Sequence, residues 1–238
     1  MNILQSCRWL IIIGGVMGVM VGCAPVRQIK PLPMGVVETR ASLGGPLIHF
    51  GGAVIPIPFT SVGIDYGVRR HLTLGGTIYP TAWLFGAFQM DMHALYALYV
   101  PSATQSRGMP GVSLGAAINY TVERWAWRQG IWPEIDFNCW WQLGKRTLAY
   151  GGIGNWFELR SKRSHGQPQQ YHWIWNPHLG VQWQAKRFHY QVEVKALAPF
   201  APNDEVVVDY LKPFGRRGAM GIYVSVAKRW PKSAQINR

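Results

Sequence analysis

Acidic side chains are scarce in this chain: 11 Asp and Glu stand against 24 Lys and Arg, a formal net charge of +13. Charge of either sign is thin, at 15% of residues, while 13% are aromatic and 12 are Trp. A nucleic-acid binder gathers its basic residues on one face. Here they fall at junctions between segments: Arg69-Arg70, Lys145-Arg146, Arg160 to Arg163, Lys186-Arg187, Arg216-Arg217 and Lys228-Arg229. Only Arg40 and Lys195 stand inside a segment. That placement suits a membrane boundary, where cations meet lipid phosphates, and it argues against nucleic acid as a partner. Long apolar runs are missing too, because the stretch Trp9 to Val21 is shorter than the about 20 residues of a membrane helix. Also absent are Gly-x-Ser-x-Gly, His-Glu-x-x-His and a Walker loop, so no nucleophile, zinc or phosphate motif points to chemistry.

What is present is alternation with period two, the signature of strands. Val62, Ile64, Tyr66 and Val68 oppose Ser61, Gly63, Asp65 and Gly67. Val112, Leu114, Ala116, Ile118 and Tyr120 oppose Gly111, Ser113, Gly115, Ala117 and Asn119. Ile131, Pro133, Ile135, Phe137, Cys139 and Trp141 oppose Trp132, Glu134, Asp136, Asn138, Trp140 and Gln142. The same pattern runs through residues 171–184, 188–195 and 220–226. A soluble lipid-binding barrel would turn the apolar face inward and carry a well-charged exterior. The polar set here is mostly small and uncharged, and the apolar set is too bulky for a small barrel, which is only just wide enough for its side chains. Turned outward, the same face forms a lipid-facing band with Trp and Tyr near the interfaces. The small polar set then lines a narrow lumen.

The expected fold is therefore all-β, an antiparallel transmembrane β-barrel of about ten strands, with eight or twelve as alternatives. The candidate strands are 36–44, 59–68, 72–80, 89–99, 110–120, 131–142, 147–159, 171–184, 188–198 and 218–229. Most are close to the about 9–11 residues of a tilted membrane strand. Closure is required, since an open edge in hydrocarbon leaves backbone groups unpaired. Pro56, Pro58, Pro133 and Pro177 lack a ladder donor and should mark strand ends or bulges. Linkers after the second, sixth and eighth strands are tight and basic, while those on the other side are longer, as in outer-membrane barrels. The connection 100–109 is long where a short one is expected. The apolar stretches 45–58 and 199–217 are read as extra strands, lumen plugs or lids.

The N-terminus carries a basic Arg8, the short apolar stretch and small residues before Cys23, the pattern of a secretory leader. The run Met20-Val21-Gly22-Cys23 resembles the lipobox of bacterial lipoproteins, with Met where Leu is commonest. The resemblance implies cleavage after residue 22 and acylation of Cys23. With Ala24 next, it implies transfer to the outer membrane. Cys139 is then the only free thiol, and no intramolecular disulfide can form. It implies a signal peptide at 1–22, a lipidated extended tether at 23–35 and a barrel at 36–230. A short polar tail, 231–238, completes the chain. Gly221, Val224, Val226 and Trp230 resemble the C-terminal insertion signal of outer-membrane barrels, except that Pro231 to Arg238 follow the aromatic residue. An even strand count returns both termini to the periplasmic side.

The inward face should gather Asp65, Asp91, His93, Glu134, Asp136, His172, His178, His189, Glu193 and Lys195. Paired carboxylates with His can activate water or bind a metal. The favoured expectation is a mutually hydrogen-bonded lumen network, since buried charges are normally paired, with no metal and no cofactor. Cys139 falls on the lipid face. The expected role is structural or accessory in an envelope or secretion assembly, with outer-membrane lipids and an envelope complex as partners. The rivals are a lipid- or glycan-modifying envelope hydrolase with its site at the loop end, and a narrow passive pore.

Overall fold

A computed structural model describes residues 26–102, 108–125, 127–162, 168–202, 209–212 and 215–230. Cys23 and Ala24, the segment 1–22 and the tail 231–238 lie outside the described residues. Strand β1 covers Val37–Phe50, β2 Ala53–Pro56, β3 Phe59–Arg69 and β4 Leu72–Ile78. One short helix, α1, spans Pro80–Leu84. Then come β5 Ala87–Tyr99, β6 Gly111–Glu123, β7 Gln129–Gln142 and β8 Thr147–Phe157. The last three are β9 Trp173–Ala185, β10 Phe188–Pro202 and β11 Arg217–Trp230.

Each strand except β2 pairs antiparallel with its neighbours, and β1 closes on β11 from Val37↔Trp230 to Pro46↔Gly221. The wall therefore has ten strands, so neither eight nor twelve applies. β2 pairs only with the outer end of β1, Leu47 to Phe50, in a hairpin that leaves the wall. The other flank of that end meets the segment 209–211, through Ile48↔Tyr210 and the bond from Leu211 N to Leu47 O. The stretch 45–58 thus forms the end of β1, the strand β2 and the approach to β3, not a plug. Residues 206–208 lie outside the described residues.

Alternation decides which way each side chain points. Val62, Ile64, Met92, Ile118, Ile135, Leu179, Val224 and their like are exposed on the outer surface, with Ile118 at 62%. Glu38, Asp65, Asp91, Glu134 and Glu193 point the other way and are almost fully covered. The apolar face is outward. Ten strands enclose a wider space than eight, and small polar residues alone do not fill it. Trp132, Trp140, Tyr150 and Tyr223 also point inward and are buried, which corrects the expectation of a small-residue lining.

Pro133 and Pro177 sit inside strands rather than at their ends. The ladder from β7 to β8 begins at Glu134, and that from β9 to β10 ends at His178, one residue past each proline. A residue without an N–H is placed where one flank has run out of partners. The turns at 70–71, 143–146 and 186–187 lie at the end of the wall that holds Val37 and Trp230. β8 and β10, which the longer connections follow, end at the opposite side of the wall.

The largest departure concerns residues 26–36. Residues 26–35, expected as part of a tether, enter the lumen instead: Val26, Gln28, Ile29 and Leu32 are buried, as is Val36, while Met34 is exposed at the foot. Ile29 packs with Ala97, Trp140, Leu148 and Tyr150 in an apolar cluster. The segment's backbone joins no ladder. Side chains of the wall hold it: Arg40 Nη1 donates to Val26 O, Ser113 Oγ to Ile29 O at 2.7 Å, and Thr73 Oγ1 accepts from Leu32 N at 2.8 Å. At the foot, Gly35 N donates to Gly67 O and Gly67 N to Val36 O.

Candidate functional site

Register brings the charged residues together. Glu38, Asp65, Gly75, His93, Ala117 and Glu134 are successive partners across β1, β3, β4, β5, β6 and β7. Gly75 has no side chain, so Asp65 and His93 meet above it, His93 Nε2 lying 2.7 Å from Asp65 Oδ1. The same arrangement recurs twice. Asn138 and His178 meet across Gly152, with His178 Nε2 2.7 Å from Asn138 Oδ1. Tyr150 reaches across Gly180 to donate to Glu193 Oε2 at 2.8 Å. A Cβ at any of these glycines would collide with the side chains that meet there.

Two guanidinium groups organise the acids. Arg40 Nη2 lies 2.9 Å from both Glu38 Oε1 and Asp65 Oδ2, and it donates to Gln28 Oε1 at 2.6 Å. Arg27, from the threaded segment, lies 2.7 Å from Glu134 Oε2, 3.1 Å from Asp136 Oδ2 and 3.6 Å from Asp91 Oδ2. His93 joins the two groups, since its Nδ1 is 2.7 Å from Asp91 Oδ1. Glu38 also takes Arg229 Nε at 2.9 Å. Nearby, Lys195 Nζ stands 3.0 Å from Glu193 Oε1, and Gln191 donates to the Tyr150 hydroxyl. At the loop end, Tyr79 donates to Asp91 Oδ2. Burial and the Asp91 carboxylate push that phenol well above its ordinary range, so it remains a donor.

Asp65, Asp91, His93, Glu134 and Asp136 thus share one network, and His178, Glu193 and Lys195 stand around the same axis. A cavity of about 30 Å³ between the two sets is bounded by Arg27, Glu134, Asp136, His178 and Lys195. It is water-sized. His189 is buried on the inward face but lies apart, accepting from Gln182 at 3.3 Å. His172 departs from the expectation: it is exposed ahead of β9, its ring against Glu158 O, and does not reach the lumen. Among the described residues no group of three His, Cys, Asp or Glu is disposed to hold a metal. Cys139 is half-buried on the outward face.

Sequence reading missed Arg27, Glu38 and Tyr79 as members of the site, and Arg40 appeared only as a basic residue out of place. A signal existed for the first. The inward candidates held five carboxylates against one lysine, and such a set cannot be buried without further cations. Chemically the network is closed: each carboxylate already faces a cation, an imidazole or a hydroxyl.

No protein-family model matches the chain, and no curated protein does. Among solved structures the fold is similar to the translocator domain of the autotransporter NalP from Neisseria meningitidis. Identity there is 9% and the TM-score 0.41, over 95% of this chain and 97% of that one. It is similar to the NanC porin at 8% identity and a TM-score of 0.44, over 81% and 98% of the two chains. The outer membrane protein OprG from Pseudomonas aeruginosa matches at 8% identity and a TM-score of 0.32, over 86% and 100%. The closed antiparallel ten-stranded wall is the architecture of an outer-membrane β-barrel.

Proposed function

We propose that this chain is an outer-membrane β-barrel lipoprotein, acylated at Cys23, with a structural or accessory role in an envelope or secretion assembly. One observation carries the reading: the segment 26–36 enters the lumen, Arg27 engages its acids, and the cavity beside that residue is water-sized. A barrel so occluded is suited to holding a position in the membrane rather than to passing or cleaving a solute. The outward band of exposed apolar residues supports insertion in a bilayer. The short turns 70–71, 143–146 and 186–187 share one end of the wall, which supports assigning that end to the periplasmic side. The lipid anchor rests on the lipobox residues.

Three measurements test this reading. Metabolic labelling with palmitate is expected to mark the protein and to fail in Cys23→Ser; a labelled Cys23→Ser variant overturns the anchor. Purified full-length protein in planar bilayers is expected to stay silent, and steady conductance overturns occlusion. Extraction in mild detergent is expected to yield a defined envelope complex, whereas a lone species counts against the accessory role.

A further inference from the structure

We infer that residues 26–36 are a removable plug, and that their withdrawal opens a channel that prefers cations. This goes beyond the accessory role and does not depend on it.

The first ground is how the segment is held. A strand of the wall is fixed by a continuous backbone ladder on both flanks. Residues 26–36 instead rely on side-chain contacts from β1, β4, β6 and β10 and on Arg27's ion pairs, with backbone bonds to the wall only at the foot, where Gly35 and Val36 meet Gly67. The segment's hydrogen bonds exchange for water at a small net cost each, and its departure breaks no ladder bond of the wall; the carboxylates that Arg27 leaves are then met by water and counter-ions rather than left buried and unpaired. Its fit is also incomplete. Arg27 Nε is buried without a hydrogen-bond acceptor among the described residues.

The second ground is what the segment leaves behind. Glu38, Asp65, Asp91, Glu134, Asp136 and Glu193 face the axis, and without Arg27 the wall offers Arg40, Arg229, Lys195 and His93 to balance them. Glu134 and Asp136, on one strand, and Asp91, on a nearby one, lose the cation that all three contact. Carboxylates in a confined, low-dielectric passage attract counter-ions and repel anions. The vacated space is that of a single chain, bounded in part by Trp140 and Tyr150, so it admits hydrated ions and small solutes.

The third ground is width. Eight strands enclose a space their own side chains fill. This wall has ten, and the added room is shared by the inward Trp132, Trp140, Tyr150 and Tyr223 and by the segment, which closes on Gly67.

The test is conductance of the full chain in planar bilayers under a KCl gradient, with heat-modifiable electrophoretic mobility as the check of folding. Wild type and Arg27→Lys are expected to be silent. Arg27→Glu, which turns the anchoring cation into a fourth carboxylate, is expected to conduct at least tenfold more often. Its reversal potential should shift toward the potassium equilibrium value. Ile29→Asp loosens the same segment from its apolar cluster without touching the wall's charges, and it should conduct likewise. Adding Glu134→Gln and Asp136→Asn to Ile29→Asp should lower the preference for cations. Folded variants that stay silent overturn the plug; anion preference overturns the role of the carboxylates. Equal conductance by wild type and variants shows that the segment does not close the barrel. None of these outcomes bears on co-purification, so a failure of the accessory role is separately visible.

Discussion

The two faces of β7 obey different rules. Outward, Ile135 and Phe137 are exposed, and all that is asked of them is compatibility with hydrocarbon. Inward, Glu134 and Asp136 occupy adjacent inward-facing positions, each within 3.1 Å of one guanidinium nitrogen that comes from a segment more than 100 residues away. One face is generic, the other specific. The lesson is that the lipid side of the wall tolerates exchange among apolar residues, while the lumen side is a set of particular pairs. A buried charge without its partner is costly, whereas an apolar side chain in lipid has no individual partner to lose.

The sharpest break of that comparison is Arg40→Met, which strips a shared cation from Glu38 and Asp65. Urea unfolding in lipid vesicles is expected to show a loss of about 3–5 kcal/mol; an unchanged midpoint means the inward pairs are dispensable. Next comes Ile118→Arg, a charge at the middle of the outward face of β6. The expected loss is about 2–4 kcal/mol in the same assay, and free tolerance of the arginine contradicts a lipid-facing surface. Gly67→Ala is expected to cost less, about 1–3 kcal/mol, as an overpacked contact. Its new Cβ would collide with Pro33 O, so limited proteolysis should cut within 26–36 faster while the wall stays resistant. Smallest of all is Ile64→Leu, outward and 56% exposed, where the shift should be under about 0.5 kcal/mol. A larger effect there would show that the outer face, too, holds specific contacts.

The strands and their orientation were legible because period two is a local property. All ten candidate segments coincide with wall strands to within a few residues, and Asp65, Asp91, His93, Glu134 and Asp136 point inward as their alternation requires. His172 failed because alternation was carried past the end of β9, which begins at Trp173. Pro133 and Pro177 were expected at strand ends or bulges because each lacks a donor, and each sits where one of its strand's two ladders runs out while the other continues. The site was half legible. Its acids could be named from the alternation, but the cations that hold them could not, since Arg27 sits in a proline-punctuated stretch without periodicity.

By itself, then, the sequence determined that the chain is built of alternating strands and which side chains share a face. Those follow from spacing along the chain, while the closed wall fixed the number of strands at ten. Only the closed tertiary structure decided which side chains meet, that glycines at 75, 152 and 180 let residues two strands apart touch, and that residues 26–36 occupy the axis. Such contacts depend on interstrand register and on the diameter that ten strands enclose. Both are properties of the assembled wall, and neither is written in any single segment.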